Sequence, residues 1–204
     1  MADELSFRVL FIVLYALFLV PRGYYRFVKP RQEKEEEETD RAVVGKIQVI
    51  LTIIILGGLI ASILYMLGLP WMDWFQILEY PLSLRAAGAL LVLIMIPLVA
   101  WIHRELDRQY SAILEIKSDH QLITTGPYKR VRHPMYTALI LFFFGLSLVS
   151  ANLLVIIFAV LLMVAFPFWV GVEEEKMIEV FGEEYIEYMK RTGRFFPSIR
   201  KAES

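Results

Sequence analysis

The chain has 204 residues, no cysteine and a formal net charge of −1. Its 57% hydrophobic content exceeds the share of about 45–50% usual in soluble domains, and its mean hydropathy is +0.55. These values exclude disulfide scaffolds, thiolate metal centres and cysteine nucleophiles, and they give no reason to expect a nucleic-acid partner.

The apolar residues gather into five long runs, which predicts an all-α, polytopic integral membrane protein with about five transmembrane helices. The first run covers 5–20. Asp3 and Glu4 precede it and Pro21-Arg22-Gly23-Tyr24-Tyr25 follows it, so it is read as a retained helix rather than a cleaved leader. Arg8 lies one turn inside, where its long stem lets the charge reach the surface. The run EKEEEE at 33–38 reads as a solvated stretch. The second apolar run covers 47–69, with Gly57-Gly58 permitting close helix contact. Trp71, Trp74 and Tyr80 in the loop 70–83 suit a membrane–water interface. The third run, 84–102, carries Pro97 near its end. The last two, 136–149 and 153–170, are separated only by Ser150-Ala151-Asn152 and predict a tight antiparallel hairpin of short spans.

Basic residues set the expected orientation. Nineteen of the 21 Lys and Arg residues fall in 21–46, in 103–135 or after 171, and Arg8 and Arg85 are the two exceptions. The positive-inside rule therefore puts those three segments and the C-terminus in the cytoplasm and the N-terminus outside.

Two polar segments flank the hairpin. His120–Tyr136 reads HQLITTGPYKRVRHPMY, with Gly126-Pro127 breaking any helix and Pro134 placed for a first helical turn. The second begins at Glu173-Glu174-Glu175, and Glu173 and Glu174, adjacent in sequence, are expected to point one inward and one to water. Phe181, Tyr185 and Tyr188 follow as an amphipathic stripe, and the sequence runs on to Arg194 and Pro197. His103, His120 and His133 lack the usual ligand spacing, so no metal site is expected. There is no P-loop, dinucleotide fingerprint or nucleophile elbow.

In order, the chain shows His120, Leu122, Ile123, Thr124, Gly126 and Tyr128; then Arg132-His133-Pro134-Met135-Tyr136; then, across the hairpin, Glu173-Glu174; then Phe181-Gly182 with Tyr185 and Tyr188; and finally Pro197. Over roughly 115–200 this resembles the isoprenylcysteine carboxyl methyltransferase family and, more loosely, the phospholipid methyltransferases. The resemblance implies a methyltransferase using S-adenosylmethionine and releasing S-adenosylhomocysteine. It implies cofactor-binding roles for His120, Gln121, Leu122, Ile123, Gly126, Tyr128, His133, Pro134, Met135, Tyr136, Glu173 and Glu174. The expected division is into helices one to three, 1–103, and a cofactor-binding region, 104–204, containing the hairpin 136–170 and a cytoplasmic C-terminal helix.

The acceptor implied first is a prenylcysteine-type carboxylate. A carboxylate is ionised near neutral pH, so no catalytic acid or base is assigned. Where the family holds an arginine four residues before the glutamate pair, this chain has Trp169. Arg132 and Arg194 are the remaining candidates for an acceptor carboxylate. Expected partners are the bilayer and a lipophilic small-molecule or prenylated substrate, with oligomeric state left open. Competing readings are a phospholipid amine methyltransferase, an NADPH-dependent sterol-type reductase, and a transporter or scaffold. Transport is disfavoured by the near absence of charge within the spans; the reductase, by the lack of a specific site for a ribose 2′-phosphate.

Overall fold

The structure is a computed structural model that describes residues 4–24, 41–77, 80–108 and 122–198. The acidic run 33–38, His120 and Gln121 lie outside the described residues. The α-helices are α1 (Glu4–Gly23), α2 (Arg41–Leu67), α3 (Leu82–Arg108), α4 (Pro134–Ser150), α5 (Leu153–Phe181) and α6 (Glu183–Arg191). Helices α1, α2, α3 and α5 are long and apolar enough to cross a membrane, and α4 is a shorter apolar helix of 17 residues. The expected all-α polytopic architecture is present.

The core lies where α1, α3 and α4 meet. Phe11, Leu14 and Phe18 form one stripe of α1, at the i, i+3, i+7 spacing that gives a helix a single packed face. Phe18 stacks on Phe142 of α4 with ring centroids 3.8 Å apart. Val92, Val99 and Ile102 of α3 are fully buried against the same cluster. Gly88 of α3 and Gly145 of α4 let these two backbones approach, since a Cβ on Gly88 would stand 2.6 Å from the Gly145 carbonyl oxygen. Gly57-Gly58 make the close contact expected of them, against Phe158 of α5. The outer faces of α2 and α5 expose Ile53, Ile60, Val164 and Phe168, as a helix turned to lipid should.

The hairpin forms as expected. Ala151 takes the left-handed conformation that closes α4, and the Asn152 side chain accepts from the Leu154 amide to cap α5. The Asn152 amide also donates to the Met72 carbonyl at 3.2 Å, and Gln76 to that of Ser150 at 2.8 Å, so the 3₁₀ turn Pro70–Phe75 is pinned to the hairpin tip.

One expected boundary is corrected. Helix α5 does not stop at 170 but runs 29 residues to Phe181, roughly 43 Å at 1.5 Å per residue. Glu, Lys and Met are good helix formers, and nothing halts the helix before Gly182, which has φ +53°. The glutamates therefore stand on a rigid rod rather than in a loop.

Candidate active site

Within the 122–136 segment, Gly126–Lys129 forms one 3₁₀ turn, and Pro134 opens α4 as its first residue. The turn is held from two sides. Thr125 Oγ1 donates to Glu105 of α3 at 2.5 Å, and the Tyr188 hydroxyl of α6 donates to the Tyr128 carbonyl at 2.6 Å. Tyr185 and Tyr188 are buried with Leu122, so α6 is anchored by the stripe seen in its sequence. Phe181, in contrast, ends α5 and is only half-buried.

The chain after α6 straps across the start of α4. The amides of Arg132 and His133 donate to the carbonyls of Gly193, at 2.8 Å, and Arg194, at 3.0 Å. The Gly193 amide donates back to Arg130 at 3.1 Å. Thr137 adds a hydroxyl donated to the Phe195 carbonyl at 2.7 Å. A Cβ on Gly193 would collide with the Phe196 backbone, so the strap requires glycine there.

The two glutamates divide the electrostatics between them. Glu174, its side chain 3% exposed, accepts from Arg132 Nε at 2.8 Å and from Arg194 Nε at 2.8 Å, with a second, shorter contact from Arg194 Nη2. His133 Nε2 lies 3.2 Å from the same carboxylate. Glu173 Oε2 is buried without a hydrogen-bond partner, and His133 Nδ1 stands 3.7 Å away, beyond bonding reach. Its polar neighbours include the Tyr136 hydroxyl. Burial, reinforced by Glu173, pushes the Tyr128 phenol above its ordinary range, so Tyr128 stays neutral. The hairpin thus brings together groups about 40 positions apart in sequence.

The expectation that one glutamate faces water is corrected, because both face inward and it is Glu175 that is exposed. Successive residues are only 100° apart on a helix, and the face covered by α4 and the strap is wide enough to take both. Arg132 and Arg194, the candidates for an acceptor carboxylate, both donate to Glu174, and Arg132 Nη1 also donates to the carbonyls of Met189 and Thr192. Trp169 donates its indole N–H to the Tyr136 hydroxyl at 2.9 Å. Ile123 and Met135 pack partly buried against the core, and Gly126, φ +54°, sits against the Glu105 carboxyl. Glu105, Thr137 and the buried Thr192 were not singled out from sequence. Their hydrogen bonds are long-range or to backbone, and no motif marks them.

Residues 84–184 match the family described as phospholipid methyltransferase. The chain is 39% identical over 93 residues to a protein-S-isoprenylcysteine O-methyltransferase of Saccharomyces cerevisiae, covering 44% of this chain and 39% of that protein. It is 35% identical over 74 residues to a methanethiol S-methyltransferase of Pseudomonas deceptionensis, covering 36% and 28%. It is 28% identical over 95 residues to a protein-S-isoprenylcysteine O-methyltransferase of Arabidopsis thaliana, covering 45% and 48%. The helical bundle defines the class, a multi-pass membrane protein, and the three relatives are by name methyltransferases. The chain is thus similar to the phospholipid methyltransferases over residues 84–184 and to isoprenylcysteine O-methyltransferases, while spanning less than half the length of each of these three relatives.

Proposed function

We propose that this chain is an S-adenosylmethionine-dependent methyltransferase acting on a lipophilic acceptor at the cytoplasmic membrane surface. The observation that carries this reading is Glu173. A buried carboxylate with an unmet oxygen, beside the neutral Tyr128, the Tyr136 hydroxyl and a partnered neighbour, calls for a cationic ligand group. S-adenosylmethionine offers an ammonium and a sulfonium, and supplies an electrophilic methyl group when bound.

The chain's own residues fit that group. Glu173 would hold the positive charge, with the aromatic faces of Tyr128 and Tyr136 available to it. The first-turn amides of α4, at Met135 and Tyr136, lack intrahelical acceptors and suit a carboxylate. Glu174, Arg132 and Arg194 fix the ring of His133 and tie the strap to α5. Trp169 orients the Tyr136 hydroxyl, and Phe166, with its ring centroid 5.1 Å from that of Tyr136, helps close the hairpin side against water. In-line positioning and exclusion of water are then the protein's contribution to the transfer.

The relatives' names make a prenylcysteine-type carboxylate the first acceptor to test. A second reading, a neutral thiol, is favoured by one observation: Trp169 brings no charge, and Arg132 and Arg194 are both bound to Glu174. One relative's name, methanethiol S-methyltransferase, points the same way.

Calorimetric titration of detergent-purified protein tests the donor. Saturable binding of S-adenosylhomocysteine, abolished in Glu173→Ala, is the expected result; binding of NADPH in its place would overturn the reading in favour of a reductase. Radiolabelled methyl transfer to a farnesyl-cysteine analogue, a long-chain alkanethiol and an amine phospholipid then separates the acceptors.

A further inference from the structure

The end of the bundle opposite the candidate site holds a second built feature. Arg8 and Arg85, the two basic residues outside the three basic segments, meet there with Glu4 and Asp73. Arg85 Nη2 donates to Glu4 at 2.8 Å, Tyr65 donates to the other Glu4 oxygen at 2.9 Å, and Arg8 pairs with Asp73. The Arg85 side chain is only 7% exposed, its guanidinium lies 4.0 Å from the centroid of the Phe7 ring, and its Nη1 is buried without an acceptor among the described residues. A guanidinium N–H left unpaired at the edge of a membrane is costly.

Arg85 lines the head of a cavity of about 380 Å³ between α1 and α3, whose other walls include Leu10, Ala89, Leu90 and Leu93. Leu82, Leu90 and Leu93 are 50% exposed or more, so the cavity opens sideways to lipid. From Leu82 to Leu93 it follows α3 for eleven residues, about 16 Å. That is the reach of part of an acyl chain.

The depth of Arg85 selects the head group. Glu105, which holds the candidate-site turn, is twenty residues further along α3, roughly 30 Å away and about the thickness of a bilayer's hydrocarbon core. Arg85 therefore stands at the phosphate level of the leaflet facing away from the candidate site. The exposed Trp71 and Trp74 mark the same boundary.

We infer that the α1–α3 groove binds a glycerophospholipid of that leaflet, its phosphate accepting from Arg85 Nη1 and one acyl chain lying along Leu10, Leu90 and Leu93.

Native mass spectrometry of the full chain with dioleoylphosphatidylglycerol, and with dioleoylglycerol as the phosphate-free control, tests this. Wild type is expected to retain the phospholipid about tenfold more strongly than the Glu4→Gln/Arg85→Gln double variant, which removes the pair without stranding a charge. Ala89→Phe, which fills the groove and leaves the cluster intact, is expected to lose the lipid as well. Equal retention by wild type and a folded Ala89→Phe, or equal retention of dioleoylglycerol and phospholipid by wild type, overturns the inference. Either result stands whether or not the chain transfers methyl groups.

Discussion

Glu173 and Glu174 are neighbours with opposite surroundings. Truncating Glu174 strands the Arg132 guanidinium, whose side chain is 9% exposed, and breaking a buried pair on one side costs about 3–5 kcal/mol. Glu174→Ala should therefore lower the unfolding midpoint in detergent sharply. Glu173→Gln keeps the shape and strands no partner, so its midpoint should stay close to wild type. Its affinity for S-adenosylhomocysteine should fall about ten- to a hundredfold, as expected when a hydrogen bond to a charged group, worth about 1.5–3 kcal/mol, is lost. If Glu174→Gln weakened binding as much as Glu173→Gln while leaving the midpoint untouched, the two roles would have to be exchanged. The sequence marked the pair but not the division of labour, because that division depends on Arg194, which lies twenty positions away and reaches Glu174 only through the strap.

Helices α3 and α4 meet through single glycines. A Cβ on Gly145 would stand 2.8 Å from Val92 Cγ2 and 2.9 Å from the Gly88 oxygen. Gly145→Ala should push the helices apart and cost about 1–3 kcal/mol, seen as a lower thermal midpoint. Since α4 begins at the candidate site, weaker S-adenosylhomocysteine binding should accompany it. Gly171 of α5 has no neighbour within 4 Å of an added Cβ, and Gly171→Ala should be neutral or stabilising by up to about 1 kcal/mol. A destabilised Gly171→Ala would show that the outer face of α5 is covered in the native protein. The Gly57-Gly58 contact was legible because two small residues stand together. Gly88 and Gly145 were not, since they are 57 positions apart and meet only after folding. The end of α5 was misplaced for a related reason, as hydropathy reports where lipid stops and not where a helix stops.

For the whole molecule, the charge distribution predicts an N-terminus outside and a C-terminus in the cytoplasm. The absence of native thiols makes single-cysteine labelling direct. The hairpin tip is a poor probe because Asn152 is fully buried and caps α5. Trp74, 87% exposed, is the better outer position, and the exposed Arg191 the inner one. Trp74→Cys should react with an impermeant maleimide on intact cells, and Arg191→Cys only after the membrane is opened. Labelling of both on intact cells would refute the orientation.

The sequence by itself determined the all-α membrane class, the hairpin and the residues that converge at its base. These follow from local properties: apolar run length, a three-residue turn, and a proline at a helix start. Only the tertiary structure decided which carboxylate is paired and which is open, that Arg132 and Arg194 serve Glu174, and that Arg8 and Arg85 gather with Glu4 and Asp73 at the far end. Those outcomes rest on distances between side chains 20 to 81 positions apart, and a buried charge takes its character from its neighbours in space.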